Sequence, residues 1–350
     1  MSLKYSGVVV GVFALLLSAP SFSYETETDL IEAKFESARM QQEEAASRRT
    51  LGSFTIPQVR EPSGRDSGTS ESLLFVNNTN FRFVSDIGFY IPKLSVALIP
   101  NDPTSPVVFD DPTSFAIRPL NGEVVLSGKA LSSLMDEHVF DFKGAPLRNL
   151  KLSTQDGGVL TINAEMYRGK WIPLTMRGKI TLEDGHILVY TPSFVSVAGN
   201  AAINVLIAAN VLLDELLTVK AKGAVLKGSQ IVLDTLLLFP PPKLLLNIAS
   251  AKVEKRGLVL TFAADVNPDF PPLIEERASN MVVSGGEVKF MRALPMNAYV
   301  QIVSDDEGSD LDFNLYEYRR QLTAGYLKLG EDGSILAHLR NYNALAGSGN

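Results

Sequence analysis

The stretch Leu150–Tyr190 reads LKLSTQDGGVLTINAEMYRGKWIPLTMRGKITLEDGHILVY. Leu150 and Leu152 alternate with Lys151 and Ser153 before Asp156-Gly157-Gly158 turns the chain. Leu160, Ile162, Ala164 and Met166 alternate with Thr161, Asn163 and Glu165, and Arg168-Gly169 turns it again. Ile172, Leu174, Met176, Gly178, Ile180 and Leu182 then take every second position, opposite Pro173, Thr175, Arg177, Lys179, Thr181 and Glu183. A period of two places one set on each face of a strand, so the segment predicts strands with one apolar and one wet side. Asp184-Gly185 is a hairpin signal, and Ile187 to Tyr190 return. The sum is a long antiparallel meander with one apolar face.

That face needs a cover. Ala201 to Val219 carry 14 apolar residues out of 19 and no proline or glycine. At helical spacing the five polar residues fall within an arc of about 140°. The spacing predicts a long helix that is apolar around most of its circumference and must be enclosed. Its charge-free part, Ala201 to Leu213, is shorter than the about 20 residues that span a bilayer. The expected enclosure is therefore a curved sheet wrapped around the helix. If the packing is complete, the tube is a core; if it is slack, the tube is an apolar cavity. The alanines and methionines of the facing residues, Met135, Met166 and Met176 among them, favour adaptable packing.

Working outward, Phe81 to Leu98 carry strand-like alternation, and Glu123 to Leu126 form a short strand. Ser127 is placed to cap a helix over Gly128–Phe140. Leu236 to Phe239 precede the Pro240-Pro241-Pro242 corner, and Leu244, Leu246 and Ile248 alternate after it. Later strands are expected at Met296–Val303, Asp312–Tyr318 and Leu322–Leu329, and at Ile335–Leu339. At the other end, Lys4 precedes an apolar run over Gly7–Leu17, and Ser21-Phe22-Ser23 has the small-x-small form of a cleavage site. This predicts a signal peptide over 1–23 and a periplasmic or secreted protein. Residues 24–56 read as a charged amphipathic helix and 57–72 as a flexible linker. The main domain is expected over 73–275, with a β-rich extension over 276–345.

The 350 residues include no cysteine, three histidines and one tryptophan, with a formal net charge of −7. Disulfides, thiol chemistry and Cys-based metal sites are excluded. The acidic balance argues against broad nucleic-acid binding. A mean hydropathy of +0.10 is high for a chain with no obvious membrane span. Nucleophile-elbow, zinc-protease, P-loop and dinucleotide fingerprints are missing. His138, His186 and His338 have no local signature of a triad. The acidic run Ser304–Asp312 departs from EF-hand spacing and reads as a solvated turn. Trp171 and Tyr190 flank the main hairpin and are candidates for interface anchors.

The order of elements is strand, short helix, three-strand meander, long apolar helix, strand, Pro-rich corner, strand. It is joined by the phrases Leu131-Ser132-Ser133-Leu134-Met135, Ile172-Pro173-Leu174, Gly223 to Leu233, Phe239-Pro240-Pro241-Pro242 and Arg256-Gly257-Leu258. Together these resemble the bacterial LmeA-like phospholipid-binding branch of the tubular lipid-binding (TULIP) superfamily, over roughly residues 120–265. The resemblance implies an α+β fold, a highly curved antiparallel sheet around a long apolar helix, with phospholipid or another acyl-chain lipid between them. The expected lining is Met135, Met166, Ile172, Leu174, Met176, Ile180 and Leu182, with Leu206, Ala209, Leu213 and Leu217 from the helix. No catalytic residue, metal or cofactor is expected. The expected partners are the lipid, a transient membrane surface, and an envelope protein met through the 24–50 helix. The alternatives are a structural or interaction protein of the envelope with a fully packed β core, and a hydrolase acting on lipid or glycan.

Overall fold

The structure, a computed structural model, describes residues 71–201, 212–216, 219–263, 268–290 and 294–346. It opens with the hairpin β1 (Ser72–Val84) and β2 (Ile87–Pro100), then β3 (Val107–Val108) and β4 (Phe115–Leu126). Helix α1 (Gly128–Leu134) continues as one π-helical turn over Met135–Val139. The meander follows as β5 (Leu147–Gln155), β6 (Val159–Tyr167), β7 (Trp171–Glu183) and β8 (Ile187–Val197). Next come β9 (Asn200–Ala201), the helical turn α2 (Leu213–Leu216), β10 (Lys220–Ala221), β11 (Ala224–Lys227) and β12 (Gln230–Asp234). The last third holds β13 (Lys243–Leu244), β14 (Ser250–Glu254), β15 (Gly257–Ala263), β16 (Asn280–Phe290), β17 (Leu294–Ser304) and β18 (Asp312–Asn314). Helix α3 (Tyr318–Ala324), β19 (Tyr326–Leu329), β20 (Ile335–Leu339) and α4 (Tyr342–Ala346) end the described chain.

These strands form two sheets. The meander builds an eight-stranded antiparallel sheet in the order β10-β11-β12-β8-β7-β6-β5, with β9 beside β8. A larger, twelve-stranded sheet runs β14-β15-β4-β2-β1-β16-β17-β20-β19. The strands after residue 276 thus continue the larger sheet: β16 pairs antiparallel with β1, and β18 pairs parallel with it. The fold is β-rich, with a sheet strongly curled into a half-barrel.

Local chemistry explains the curl. The β2–β4 register shifts between Ser95 and Val96, next to the pairing of Gly122 with Leu94. A side chain on Gly122, whose φ is +128°, would overlap the Lys93 carbonyl. The β7–β8 register shifts at Gly178, where a side chain would strike the Thr191 carbonyl. A bulge or a bare glycine lets neighbouring backbones close up and bends the sheet sharply. Helix α1 is fastened into the concavity by polar bonds to one irregular strand edge. Ser127 caps it by accepting from the Ala130 N–H at 3.1 Å. The β5–β6 register breaks between Arg148 and Lys151, and the Leu150 N–H turns to Asp136 at 2.8 Å. The Leu152 N–H reaches Ser132 Oγ, also at 2.8 Å. Leu131, Leu134 and Met135 of this helical segment join Leu126, Leu147, Leu160 and Leu258 in one core shared by both sheets.

Several sequence expectations are corrected. The long helix over Ala201–Val219 is not shown. Ala201 is a strand residue paired with Ser196, and the Val219 carbonyl accepts from Leu226 N–H at 3.1 Å in a β connection. Only Leu213–Leu216 is helical, and 202–211 and 217–218 lie outside the described residues. The signal peptide, the 24–56 helix and the linker up to residue 70 lie outside them as well. Leu236–Phe239 is a turn, because Asp234 accepts the Leu236 N–H on its side chain and the Leu237 N–H on its carbonyl, both at 3.0 Å. Asp312–Tyr318 is a strand only to Asn314. The first part of Leu322–Leu329 is the end of α3, because the buried Gln321 side chain makes three bonds to two backbone segments, at Asp312 and Asn314 of β18 and at Arg340.

Candidate functional site

The concave face of the larger sheet collects the alternating apolar residues of four strands. Leu74, Val76, Phe81 and Phe83 come from β1, Ile91, Leu94 and Val96 from β2, Val124 from β4, and Leu260 and Phe262 from β15. They enclose a void of about 40 Å³, closed on its open side by Leu244 and Leu246. Every described lining residue is apolar, with no titratable group among them. One end is walled by aromatic rings: Phe83 meets Phe89 at 5.7 Å, and Phe89 meets Phe239 at 5.3 Å. The other face of β1 is covered too, with Phe75 against Phe270 at 4.9 Å.

The closing strap, residues 243–248, is held by few backbone bonds. Lys243 and Leu244 pair with Ala116 and Ile117, the Leu245 N–H reaches Ile117 O at 2.8 Å, and the Ile248 N–H reaches Gly185 O at 2.6 Å. Its hold is therefore mostly the burial of Leu244, Leu246 and Ile248. A second apolar void, about 50 Å³, lies between α3 and the β17–β20–β19 end of the sheet, lined by Phe313, Leu322 and Ile335 among others.

The lining expected from sequence lies elsewhere. Met166, Leu174 and Met176 are buried on the inner face of the meander sheet, and Met135 is buried on the π-helical turn. Ile172, Ile180 and Leu182 are half-buried beside them and pack on the core. Cross-strand pairing joins Met166 to Ile172, Ile162 to Met176, and Leu182 to Leu188. Leu213 is buried, while Leu206, Ala209 and Leu217 lie outside the described residues. None of the described ones borders the void of the larger sheet. The residues that do border it carry the same strand alternation, but nothing local marks them as neighbours, because β4–β15 and β1–β16 are pairings between distant segments. Tyr190 is no interface anchor. It is 1 % exposed, with its hydroxyl on Leu160 O at 3.3 Å, and burial pushes its pKa upward. Trp171 does stand at a sheet margin, edge-on to the exposed Tyr167 at 5.3 Å and beneath the Arg148 guanidinium.

Many of the titratable groups are engaged in structure. His138 is buried on the π-helical turn, and His186 Nδ1 lies 2.8 Å from the Asp184 carbonyl oxygen. His338 stacks on Tyr326 at 4.2 Å, and neither ring nitrogen has a hydrogen-bond partner. Burial lowers its pKa, opposed by the Glu275 carboxylate at 3.6 Å. The Arg277 guanidinium, at 2.6 Å, holds Glu275 below the usual carboxylate range. Asp110 is buried against Arg319 and the Tyr318 hydroxyl. In the acidic run, Asp305 is taken by Arg340 at 2.9 Å and Asp312 by Arg82 at 2.6 Å, so it works as an internal clasp. Among the described residues no cluster of acidic and histidine side chains is arranged to hold a metal ion. No described helix is long and apolar enough to cross a membrane. No family model, curated protein or solved structure matches the chain.

Proposed function

We propose that this chain is an exported, non-enzymatic lipid-binding protein of the tubular lipid-binding kind, similar to the LmeA-like proteins, that shelters the acyl chains of a phospholipid in the cell envelope. The observation that carries this reading is the concave face of the larger sheet, with its wholly apolar lining and a strap secured by few backbone bonds. At about 40 Å³ the void is far below the roughly 300–1,000 Å³ of ligand pockets, so an acyl chain enters by displacing the Leu244–Leu246 strap. Each buried methylene contributes roughly 0.8 kcal/mol, so several of them offset the lost burial of two leucines. The inner face of the meander supplies the rest of the enclosure in this reading. The test is native mass spectrometry and lipid extraction of the purified full chain, followed by incubation with phosphatidylglycerol. A bound phospholipid is expected; a protein that purifies lipid-free and takes up none would refute the proposal.

The small size of that void favours a second reading, an envelope structural or interaction protein with a packed β core. It predicts the opposite outcome in the same experiment, together with loss of partner capture when residues 24–50 are removed.

A further inference from the structure

The outward face of the meander sheet carries a chemistry the proposed cargo site does not use. Lys151 on β5, Arg177 and Lys179 on β7, Lys227 on β11 and Lys220 on β10 are all exposed. The register puts them on one surface. Lys179 lies opposite Thr191, which bonds Gln230 at 2.9 Å, and Gln230 lies opposite Lys227. Lys220 lies opposite Val225, two residues from Lys227 on the same face of β11. None of the five has a carboxylate partner among the described residues, and Arg177 lies over the Phe194 ring at 4.2 Å. Elsewhere most arginines are paired, as Arg256 is with Glu123 at 3.0 Å and Arg340 with Asp305 at 2.9 Å. The acids of this face stand at its margins: Glu165 is occupied by Arg148 at 2.8 Å, Glu183 and Asp234 flank Ile187 at the hairpin end, and beside Leu212 Asp214 accepts from the Gly228 N–H at 2.6 Å and Glu215 from the Leu212 N–H at 3.1 Å. A concentrated, unneutralised positive face on a chain of net charge −7 is a local feature and not a reflection of bulk composition.

At its β10–β11 margin the basic face meets exposed apolar side chains. Val225 is 44 % exposed, Leu212 47 % and Leu237 48 %. They lie along β11: Leu212 stands at its Gly228 end, where an added side chain would touch it, Leu237 at its Gly223 end, and Val225 between them. Lysines around a small apolar fringe match a surface that is anionic outside and oily beneath.

We infer that this face docks the protein on an anionic phospholipid bilayer, with the lysines over the head groups and the Val225–Leu212–Leu237 fringe dipping between them. The inference rests on charge, exposure and register, and is independent of what the concave side holds. Each lysine near an anionic surface strengthens partition roughly fivefold. The test is co-sedimentation of the full chain with vesicles of equimolar phosphatidylglycerol and phosphatidylcholine, against vesicles of phosphatidylcholine alone. Binding is expected only to the anionic vesicles and is expected to fade at high salt. The triple variant Lys179→Gln, Lys220→Gln, Lys227→Gln should bind about a hundredfold more weakly. A second triple variant, Lys93→Gln, Lys129→Gln, Lys328→Gln, has the same net charge but spares the face and should bind as the parent does. Equal loss in both variants, equal binding to the two vesicle types, or tighter binding to heparin than to the anionic vesicles would each overturn the inference. Cargo is read separately by mass spectrometry, so docking can fail while the cargo proposal stands, and the reverse.

Discussion

Replacing Val124 with isoleucine tests whether the concave void is usable space. Val124 is 3 % exposed, borders the void, and pairs across the sheet with Leu260. An unfilled void of about 40 Å³, at about 24 cal/mol per Å³, costs about 1 kcal/mol. The added methylene, once buried, contributes about 0.8 kcal/mol. The two estimates converge, so Val124→Ile should raise stability by up to about 1 kcal/mol. The same substitution at Val283, which is fully buried at 0 % exposure and away from the void, should cost about 1–3 kcal/mol by overpacking. Equilibrium urea unfolding of both variants, compared at constant slope, reads the difference as a shift of midpoint in opposite directions. The filled variant should also take up less phosphatidylglycerol, because the chain and the new methyl compete for one space. If Val124→Ile destabilises as much as Val283→Ile, the space is closed to a growing side chain and the reasoning about an accessible void fails.

Acid should weaken the C-terminal half through His338. Its folded pKa lies below the ordinary histidine value of 6.5, so on acidification the unfolded chain takes up the proton first. Stability is therefore full above about pH 6.5 and falls from there towards the lower folded pKa. His338→Phe, which keeps a ring on Tyr326, should flatten the urea midpoint across that window, and an unchanged slope would count against the assignment. Asp110→Ala should lose about 3–5 kcal/mol in chemical denaturation, since it strands the buried Arg319 and leaves the Tyr318 hydroxyl without this acceptor. Adding Arg319→Met should recover much of that loss, and a simply additive double variant would show that the pair is not coupled.

The meander was legible because its faces alternate without interruption and each turn carries glycine. Its observed bounds, Leu147–Gln155 to Ile187–Val197, follow those signals closely. The start of α1 was legible for the same local reason, a serine able to cap it. The curl was not. Gly178 reads as one more small residue in an alternating strand, and only the backbone of β8 reveals that no side chain fits there. The void was not legible either. Phe83, Leu94, Val124 and Leu260 each follow ordinary strand periodicity, and their convergence depends on β15 returning to β4, which pattern alone does not specify. Gln321 shows the converse failure. Its neighbours suit a strand, but three hydrogen-bonding obligations, two from β18 and one from Arg340, fix a helix there. The unpaired lysines were visible as the wet side of the meander, yet sequence cannot show that no acid reaches them.

The placement of β1 in the middle of the larger sheet bears on how the chain must be born. β1 needs β16 on one side and β18 at its end, and the Thr79 hydroxyl closes on the Asn280 carbonyl 201 residues away. At roughly 5–20 residues per second of synthesis, Phe75 and Val76 wait about 10–40 s for their partners. During that interval the apolar strand is an open edge, prone to self-association. A chain with this topology folds late and slowly, from long-range pairings.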